Sequence, residues 1–333
     1  MKAIGKIAFV LFHISLVAWG CLAIYFSYLP VPLRYGGAGL FAVVSIAVLL
    51  LARPKLKGAV IFWAMFALVL LGWFSMKPSN HRDWQADNAV LPYAEVNGDV
   101  ITIHNIRNFD YRSETDYTIG YYDKSFNLSS LNSFDVFLCD WGLNAIVHTM
   151  VSFGFDDGSF VCISIETRKE KGEAYSTLKG FFRQYEQFYV VADERDLIRL
   201  RTNYRQGETV YLYRIQDVSM AVVRQVFMDY ISYINRLTES PEWYNALTGN
   251  CTTEIRGHTR PNPDRITWDW RILANGYIDE LMYEKKMVDT SIPFTALKKQ
   301  SIINQNAMAA DQDPDFSAKI RQKLPGMDPV KRS

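Results

Sequence analysis

The residue types best able to do chemistry in this 333-residue chain are Cys251, His148 and Glu166. Cys251 follows Gly249-Asn250 and precedes Thr252-Thr253-Glu254. A turn followed by Asn and Thr is a helix-start signal, because short polar side chains accept from the first unpaired backbone N–H groups. A cysteine in that first turn has its thiolate favoured by the helix dipole, which makes it nucleophilic. His148 and Glu166 flank Asp156-Asp157-Gly158, a tight-hairpin signal. If Phe155 pairs with Ser159, paired residue numbers add to 314 and His148 faces Glu166. Their side chains then share one face of the sheet, with Cβ atoms about 4.5–5.5 Å apart. A carboxylate there fixes the imidazole tautomer and stabilises the imidazolium, as a catalytic base requires. A slip of one residue separates the two onto opposite faces, and Asp140 and Glu194 are then the next candidates for the acid. A structural cysteine and a cross-strand ion pair account for the same residues, so these side chains alone leave both readings open.

The other cysteines carry less. Cys21 lies in an apolar stretch, and Cys139 and Cys162 lie in apolar strand-like runs where buried, inert thiols are expected. Glu166–Lys171 and Asp193–Asp196 are charge runs of the kind that form solvated faces, and His104–Tyr111 mixes polar and aromatic residues after a strand. No Cys-x-x-Cys, His-Glu-x-x-His or calcium-loop pattern occurs, so no metal is expected. Neither Gly-x-x-x-x-Gly-Lys nor Gly-x-Gly-x-x-Gly is present, which leaves nucleotide cofactors without support. A missing Gly-x-Ser-x-Gly weakens a serine hydrolase. The net charge of +1 argues against a nucleic-acid partner.

The elements that must position these residues fall into two parts. Residues 1–76 hold six bases and no acid, whereas the remaining 257 hold 30 bases and 35 acids. Ile7–Leu33, Tyr35–Ala52 and Gly58–Met76 are uncharged, and each is long enough to cross a bilayer. Placing Lys2, Lys6, Arg53, Lys55 and Lys57 inside leaves only Arg34 outside, which sends everything after Lys77 out of the cytoplasm. His13, within the first span, is expected to be a helix contact rather than a site. Residues 78–98 are expected to be a polar linker, and 99–333 an α+β domain. Its strand-like runs include Val100–His104, Asp135–Cys139, Ala145–Phe155, Ser159–Glu166, Gln187–Val191 and Thr209–Tyr213. Val218–Leu237 and Ile272–Met287 are expected helices.

Five segments together resemble one family: Ile103–Arg112; His148-Thr149 with Ser152–Phe155; Ile163–Arg168; Ala192–Ile198 with Leu200–Asn203; and Asn250–Thr253. They are similar to the periplasmic domain of the bacterial lipoprotein N-acyltransferase family typified by Lnb, over about Asp99 to His258. The resemblance implies a cysteine acyltransferase that moves an acyl chain, expected from the sn-2 position of a phospholipid, through a thioester. The acceptor would be the α-amino group of a lipoprotein's lipidated N-terminal cysteine, and a lysophospholipid would remain. On the matching positions the nucleophile falls on Cys251, the base on His148 and the orienting acid on Glu166. Arg107, Arg168 and Arg201 are candidates for the phosphate head group, because guanidinium binds phosphate in a bidentate way. The order His, Glu, Cys is a permutation of the papain-like order and is similar to circularly permuted NlpC/P60-type folds with an antiparallel sheet. The expected protein is therefore membrane-anchored and multi-pass in the bacterial inner membrane, with its catalytic domain in the periplasm. The lipid bilayer, a phospholipid donor and a diacylglyceryl lipoprotein acceptor are its expected partners. A thiol hydrolase acting on peptidoglycan, or a non-enzymatic envelope protein, are the alternatives.

Overall fold

The three uncharged stretches fold as helices α1 (Lys2–Tyr25), α2 (Val31–Leu51) and α3 (Lys55–Ser75). At 1.5 Å per residue they run roughly 31–36 Å, the reach needed to cross a hydrocarbon core, and each is apolar enough to do so. Pro30 and Pro54 sit at the N-caps of α2 and α3, where a missing N–H breaks no helical bond. Phe41, Phe62 and Phe66 form the buried seam. Phe41 packs directly on Gly20, where a Cβ would come within 2.5 Å of its ring. Small residues permit such close crossings in the absence of a hydrophobic drive between helices. His13 is buried in this bundle, with Nδ1 at 2.9 Å from the Phe9 carbonyl and its ring against Phe9 and Phe62. It is a helix contact, as expected.

The computed structural model describes residues 2–260, 262 and 265–327, so the end of the expected domain, 328–333, lies outside the described residues. The chain divides into two compact units. The first joins the three helices to a distant segment, Tyr175–Glu186, which includes the short helix α4 (Thr177–Gly180). The second holds the rest. The stretch expected to be a linker is corrected in part: from Asn80 onward it belongs to the second unit. Its polar side chains bond to chain far away in sequence, Gln85 donating to the carbonyls of Glu170 and Glu173, and it contains strand β1 (Tyr93–Asn97).

The main sheet adds β2 (Val100–Arg107), β5 (Tyr121–Asn127), β6 (Leu131–Asp140), β7 (His148–Phe155), β8 (Phe160–Arg168), β9 (Glu186–Ala192) and β10 (Thr209–Arg214), while β3 (Asp110–Tyr111) and β4 (Tyr117–Thr118) pair separately. Its order is β1-β2-β9-β8-β7-β6-β10, with β5 also on β2. Pairing is antiparallel in β1–β2, β2–β5, β6–β7, β7–β8 and β6–β10, but β2 meets β9 in parallel at Arg107 and Ala192. The sheet is thus mixed, where an antiparallel one was expected. Two cores explain the near-continuous apolar strands, because a sheet covered on both faces has no face left to be polar. Val151, Phe153, Ile163 and Tyr189 pack with α6 (Met220–Glu239), whose face carries Val223, Val226, Phe227, Tyr230, Ile231 and Ile234. Phe137, Met150, Cys162 and Phe188 pack with α5 (Glu194–Arg199), α10 (Asn304–Ala309) and α11 (Phe316–Ile320). The remaining helices are α7 (Cys251–His258), α8 (Ile278–Glu284) and α9 (Phe294–Gln300). The architecture is a membrane-anchored α+β protein.

Candidate active site

The hairpin between β7 and β8 has the register in which paired numbers add to 314: Met150 pairs with Ser164 and Phe153 with Val161. Gly158 closes the turn at φ 78°, a conformation that suits glycine. His148 therefore stands at the start of β7 across from Glu166, and the imidazole Nε2 lies 3.0 Å from Glu166 Oε1. Ser164, two residues before Glu166 on the same face, completes the contact. Its hydroxyl lies 2.7 Å from His148 Nε2 and donates to Glu166 Oε1 at 2.6 Å. Arg201, in the helical turn after α5, donates to the same oxygen at 3.0 Å. Burial alone would raise the Glu166 carboxyl, but His148, Arg201 and Ser164 hold it well below the usual carboxylate range.

Cys251 is the first residue of α7. Asn250 caps that helix, its side-chain oxygen accepting from the Thr253 N–H at 3.0 Å. Cys251 is 9% exposed, and its thiol lies within the electrostatic reach of His148. Burial raises the thiol pKa, yet the His148 hydrogen bond and charge, with help from the Thr149 backbone and Thr252, bring it below its ordinary value. Burial likewise opposes the imidazolium, and Arg201 repels it. The Glu166 charge and the bonds to Cys251 and Glu166 outweigh both and lift His148 to about 9. The two shifts point the same way, toward a thiolate beside an imidazolium. With Nε2 held by Ser164 and Glu166, Nδ1 is the nitrogen left for the sulfur.

One residue ties the two halves of this arrangement together. The Asn275 side chain accepts from the Val147 N–H at 2.9 Å and donates to the Val147 carbonyl at 2.7 Å. It also donates to Thr252 Oγ1 at 2.7 Å and lies 3.9 Å from Cys251 Sγ. Asn275 thus grips the residue before His148 and the residue after Cys251. The expected helix over Ile272–Met287 is corrected: it breaks into a 3-10 turn over Asn275–Tyr277 and the short α8. Gly276 passes so close to Asn144 that a Cβ would lie 1.9 Å from its carbonyl oxygen, so the 3-10 turn Asn275–Tyr277 meets that loop only with glycine at this position. The same contact gathers loops whose large apolar side chains are exposed: Trp141, Leu143 and Ile146 before His148, and Trp268, Trp270 and Leu273 before Asn275.

The three candidate head-group arginines fall in different places. Arg201 touches Glu166 and also faces Glu208 at 3.5 Å. Arg107 is buried and bidentate on Asp196, at 3.0 and 2.7 Å. Asp196 accepts from Phe109 N and Tyr111 Oη as well, so the His104–Tyr111 and Asp193–Asp196 segments meet in one internal hub. Arg168 is buried against the Asn88 and Ala89 carbonyls, its guanidinium 4.3 Å from the Trp84 ring. Arg107 and Arg201 line a cavity of about 460 Å³ that also reaches Glu166. Of the fallback acids, Asp140 caps the Gly142 N–H and Glu194 pairs with Arg321, so neither takes the place of Glu166. Cys139 and Cys162 are free and buried, and burial pushes the Cys139 thiol up to about 12. Sequence reasoning missed Ser164 and Asn275. The i, i+2 spacing of Ser164 and Glu166 was a usable signal, whereas Asn275 had none.

Fold and site define a membrane-anchored α+β protein with a buried cysteine–histidine–glutamate cluster. Residues 118–276 match a family model described as the Lnb N-terminal periplasmic domain. The match, over just under half of the chain, supports the Lnb-type family; it contains His148, Glu166, Cys251 and Asn275 and leaves Arg107 outside. No curated protein and no solved structure matches the chain. This is an Lnb-like protein with a periplasmic domain and three apolar N-terminal helices.

Proposed function

We propose that this protein is a lipoprotein N-acyltransferase of the bacterial inner membrane, multi-pass, with the basic ends of its helices in the cytoplasm. The observation that carries the proposal is His148 Nε2 at 3.0 Å from Glu166, with the imidazole and the Cys251 thiol each shifted by the other toward the ion pair. In the first half-reaction the Cys251 thiolate attacks an ester carbonyl of a phospholipid, expected at sn-2. The imidazolium of His148 gives its proton to the departing oxygen, so a lysophospholipid leaves and a thioester remains. In the second, the α-amino group of a diacylglyceryl lipoprotein's N-terminal cysteine attacks that thioester. His148 takes the amine proton, the C–S bond breaks, and the amide and the thiolate result. The thioester conserves the acyl transfer potential, so no cofactor is called for. Glu166 stabilises the imidazolium in both halves.

The exposed tryptophans and aliphatic residues on the loops joined at Asn275 support an acyl chain over a sugar or peptide substrate. Arg107 and Arg201 remain the head-group candidates on the strength of the shared cavity. Arg168, enclosed by backbone carbonyls, has the weaker claim. The chain order of His148, Glu166 and Cys251 is the basis for reading the domain as a circularly permuted papain-like fold of NlpC/P60 type. The test is the intact mass of the purified chain after exposure to phospholipid vesicles. A fatty-acyl adduct that maps to Cys251 and is discharged by a diacylglyceryl peptide is the expected result. Release of peptidoglycan fragments with no such adduct would favour the thiol hydrolase.

A further inference from the structure

The contacts within the helical unit fix which helix ends lie together. Tyr25 at the end of α1 meets Tyr35 at the start of α2, with ring centroids 5.3 Å apart. Trp19 of α1 meets Trp73 near the end of α3 at 5.2 Å. The chain therefore runs up, down and up. One end of the bundle collects Lys6, Arg53, Lys55 and Lys57. The other collects Tyr25, Phe26, Tyr35, Trp73 and Phe74. A basic end and an aromatic end are the marks of the two interfaces of a spanning bundle.

The Tyr175–Glu186 segment is fastened to the aromatic end. The Phe182 ring lies 5.3 Å from Phe26 and 5.7 Å from Trp73, and it is 4% exposed. Arg183 donates to the Trp73 carbonyl at 2.8 Å, with its guanidinium over the Trp73 and Phe74 rings. Gln184 donates to the Phe26 carbonyl at 2.7 Å. These carbonyls sit where α1 and α3 run out of backbone partners, so the segment caps both helices. Its neck is closed by the Ser176 N–H on Tyr185 Oη at 3.0 Å and by the Tyr175 and Tyr185 rings. A closed, capped segment has its depth set by the helices that it caps.

On this fixed segment the apolar side chains that do not pack inward share one side. Leu178 and Phe181 are three residues apart through α4, which puts them on one face. They are 47% and 39% exposed, and Tyr175 beside them is 54% exposed. We propose that this edge lies in the boundary between head groups and acyl chains, a membrane contact of its own that enters the bilayer without crossing it. A short apolar edge beside a cation, at interfacial depth, is the composition of such contacts. The inference rests on the spanning of the three helices and is independent of acyl transfer.

The test uses the full chain in vesicles of phosphatidylethanolamine and phosphatidylglycerol, with Cys21→Ala and Cys251→Ser to leave only the buried thiols of Cys139 and Cys162. A nitroxide is attached at Leu178→Cys or Phe181→Cys, two independent positions in case one variant folds poorly. Leu68→Cys on the exposed side of α3 and Ser232→Cys on the exposed side of α6 serve as references. The expected result at 178 and 181 is collision with oxygen several-fold above Ser232→Cys and collision with a water-soluble nickel chelate several-fold below it. Nickel access equal to that at 232 overturns the proposal. Exclusion of both relaxants, with spin–spin broadening, means that a second copy covers the edge, and also overturns it. Water access at Leu68→Cys would remove the spanning premise and the proposal together, and so is told apart from water access at 178 and 181 alone.

Discussion

The two ends of α7 each hold a buried histidine paired with a carboxylate, and the two behave in opposite ways. At the first residue, Cys251 meets His148, whose Nε2 is 3.0 Å from Glu166. In the last turn, His258 Nδ1 is 2.7 Å from Asp229 and Nε2 is 2.7 Å from the Tyr189 hydroxyl, with the Tyr230 ring 3.9 Å away. His148 is lifted to about 9, but His258 is lowered: burial outweighs Asp229, and Arg236 and Arg260 add to the fall. A carboxylate beside an imidazole is therefore insufficient to charge it. The site at the start of the helix has a thiol ready to share the proton and a carboxylate itself held ionised by Arg201 and Ser164. The site at the end has an aromatic wall and a tyrosine hydroxyl, which suit a neutral ring. One pair is poised to be charged, as the proposed proton transfer needs, and the other fastens α7 to α6 and β9.

The largest effect is expected from removing the thiolate. Cys251→Ser should lower acyl transfer by more than about 1,000-fold, because a hydroxyl lacks the acidity on which the ion pair depends. Cys139→Ser and Cys162→Ser should leave the rate per folded molecule within about two-fold, as expected of thiols used only in packing. Single-turnover loss of lysophospholipid precursor measures all three.

Next comes the charge on the acid. Glu166→Gln keeps the shape and removes the partner of the imidazolium, so a fall of roughly 100-fold or more is expected. Alkylation of Cys251 by iodoacetamide should then need a higher pH, because the His148 charge that lowers the thiol is weakened. An unmoved alkylation profile would reduce His148–Glu166 to a structural contact like the one at the other end of α7. In the unaltered protein, transfer should decline as pH rises through about 9, where the imidazolium loses its proton. The raised His148 pKa also stabilises the fold below its unfolded value near 6.5, and that contribution is lost as pH rises through about 9. Denaturant unfolding across pH 6–10, with and without His148→Gln, reads this directly.

Asn275→Ala should have a smaller effect on rate, about 10–100-fold, because the catalytic groups remain and only their spacing loosens. Its signature is a raised thiol pKa with little change in donor KM. The smallest effect on catalysis belongs to His258→Gln. Activity per folded molecule should hold, while stability falls by about 1–3 kcal/mol through the stranded Tyr189 hydroxyl. Because the folded pKa of His258 is depressed, its contribution is present above the unfolded value and is lost on acidification below about 6.5. His258→Gln should therefore flatten the acid limb of the stability curve and leave the alkaline limb alone.

These contrasts also mark what the chain reveals before folding. Local signals were legible. Asp156-Asp157-Gly158 specifies the register that brings His148 to Glu166, and Asn250 caps a helix that begins at Cys251. The three helices follow from composition alone. Contacts over long separations were not legible. Arg201 looks like Arg107 and Arg168 in sequence, but partners 35 and 89 residues away decide that one steadies Glu166 and another is locked on Asp196. Asn275 sits in a stretch with helical period, and its task depends on Asn144, Val147 and Thr252, none of which is near it in the chain. Tyr175–Glu186 carries no mark that it folds with residues a hundred positions earlier. Hydrophobic period reports how a segment buries itself and is silent about which distant segment receives it.

Arg321, in the residue just after α11, reaches Glu194 at 2.6 Å and Asp135 at 2.8 Å in the buried core, with its guanidinium 3.6 Å from the Phe160 ring. Asp135 also has Arg214, but among the described residues Glu194 has beside Arg321 only the Ser152 hydroxyl. Leaving a buried carboxylate without its cation costs several kcal/mol. During vectorial export, residues 135 and 194 emerge long before residue 321. The sheet that carries His148 and Glu166 thus holds an unmet charge until the far helical stretch has been threaded through, and a nascent or clipped chain keeps that debt.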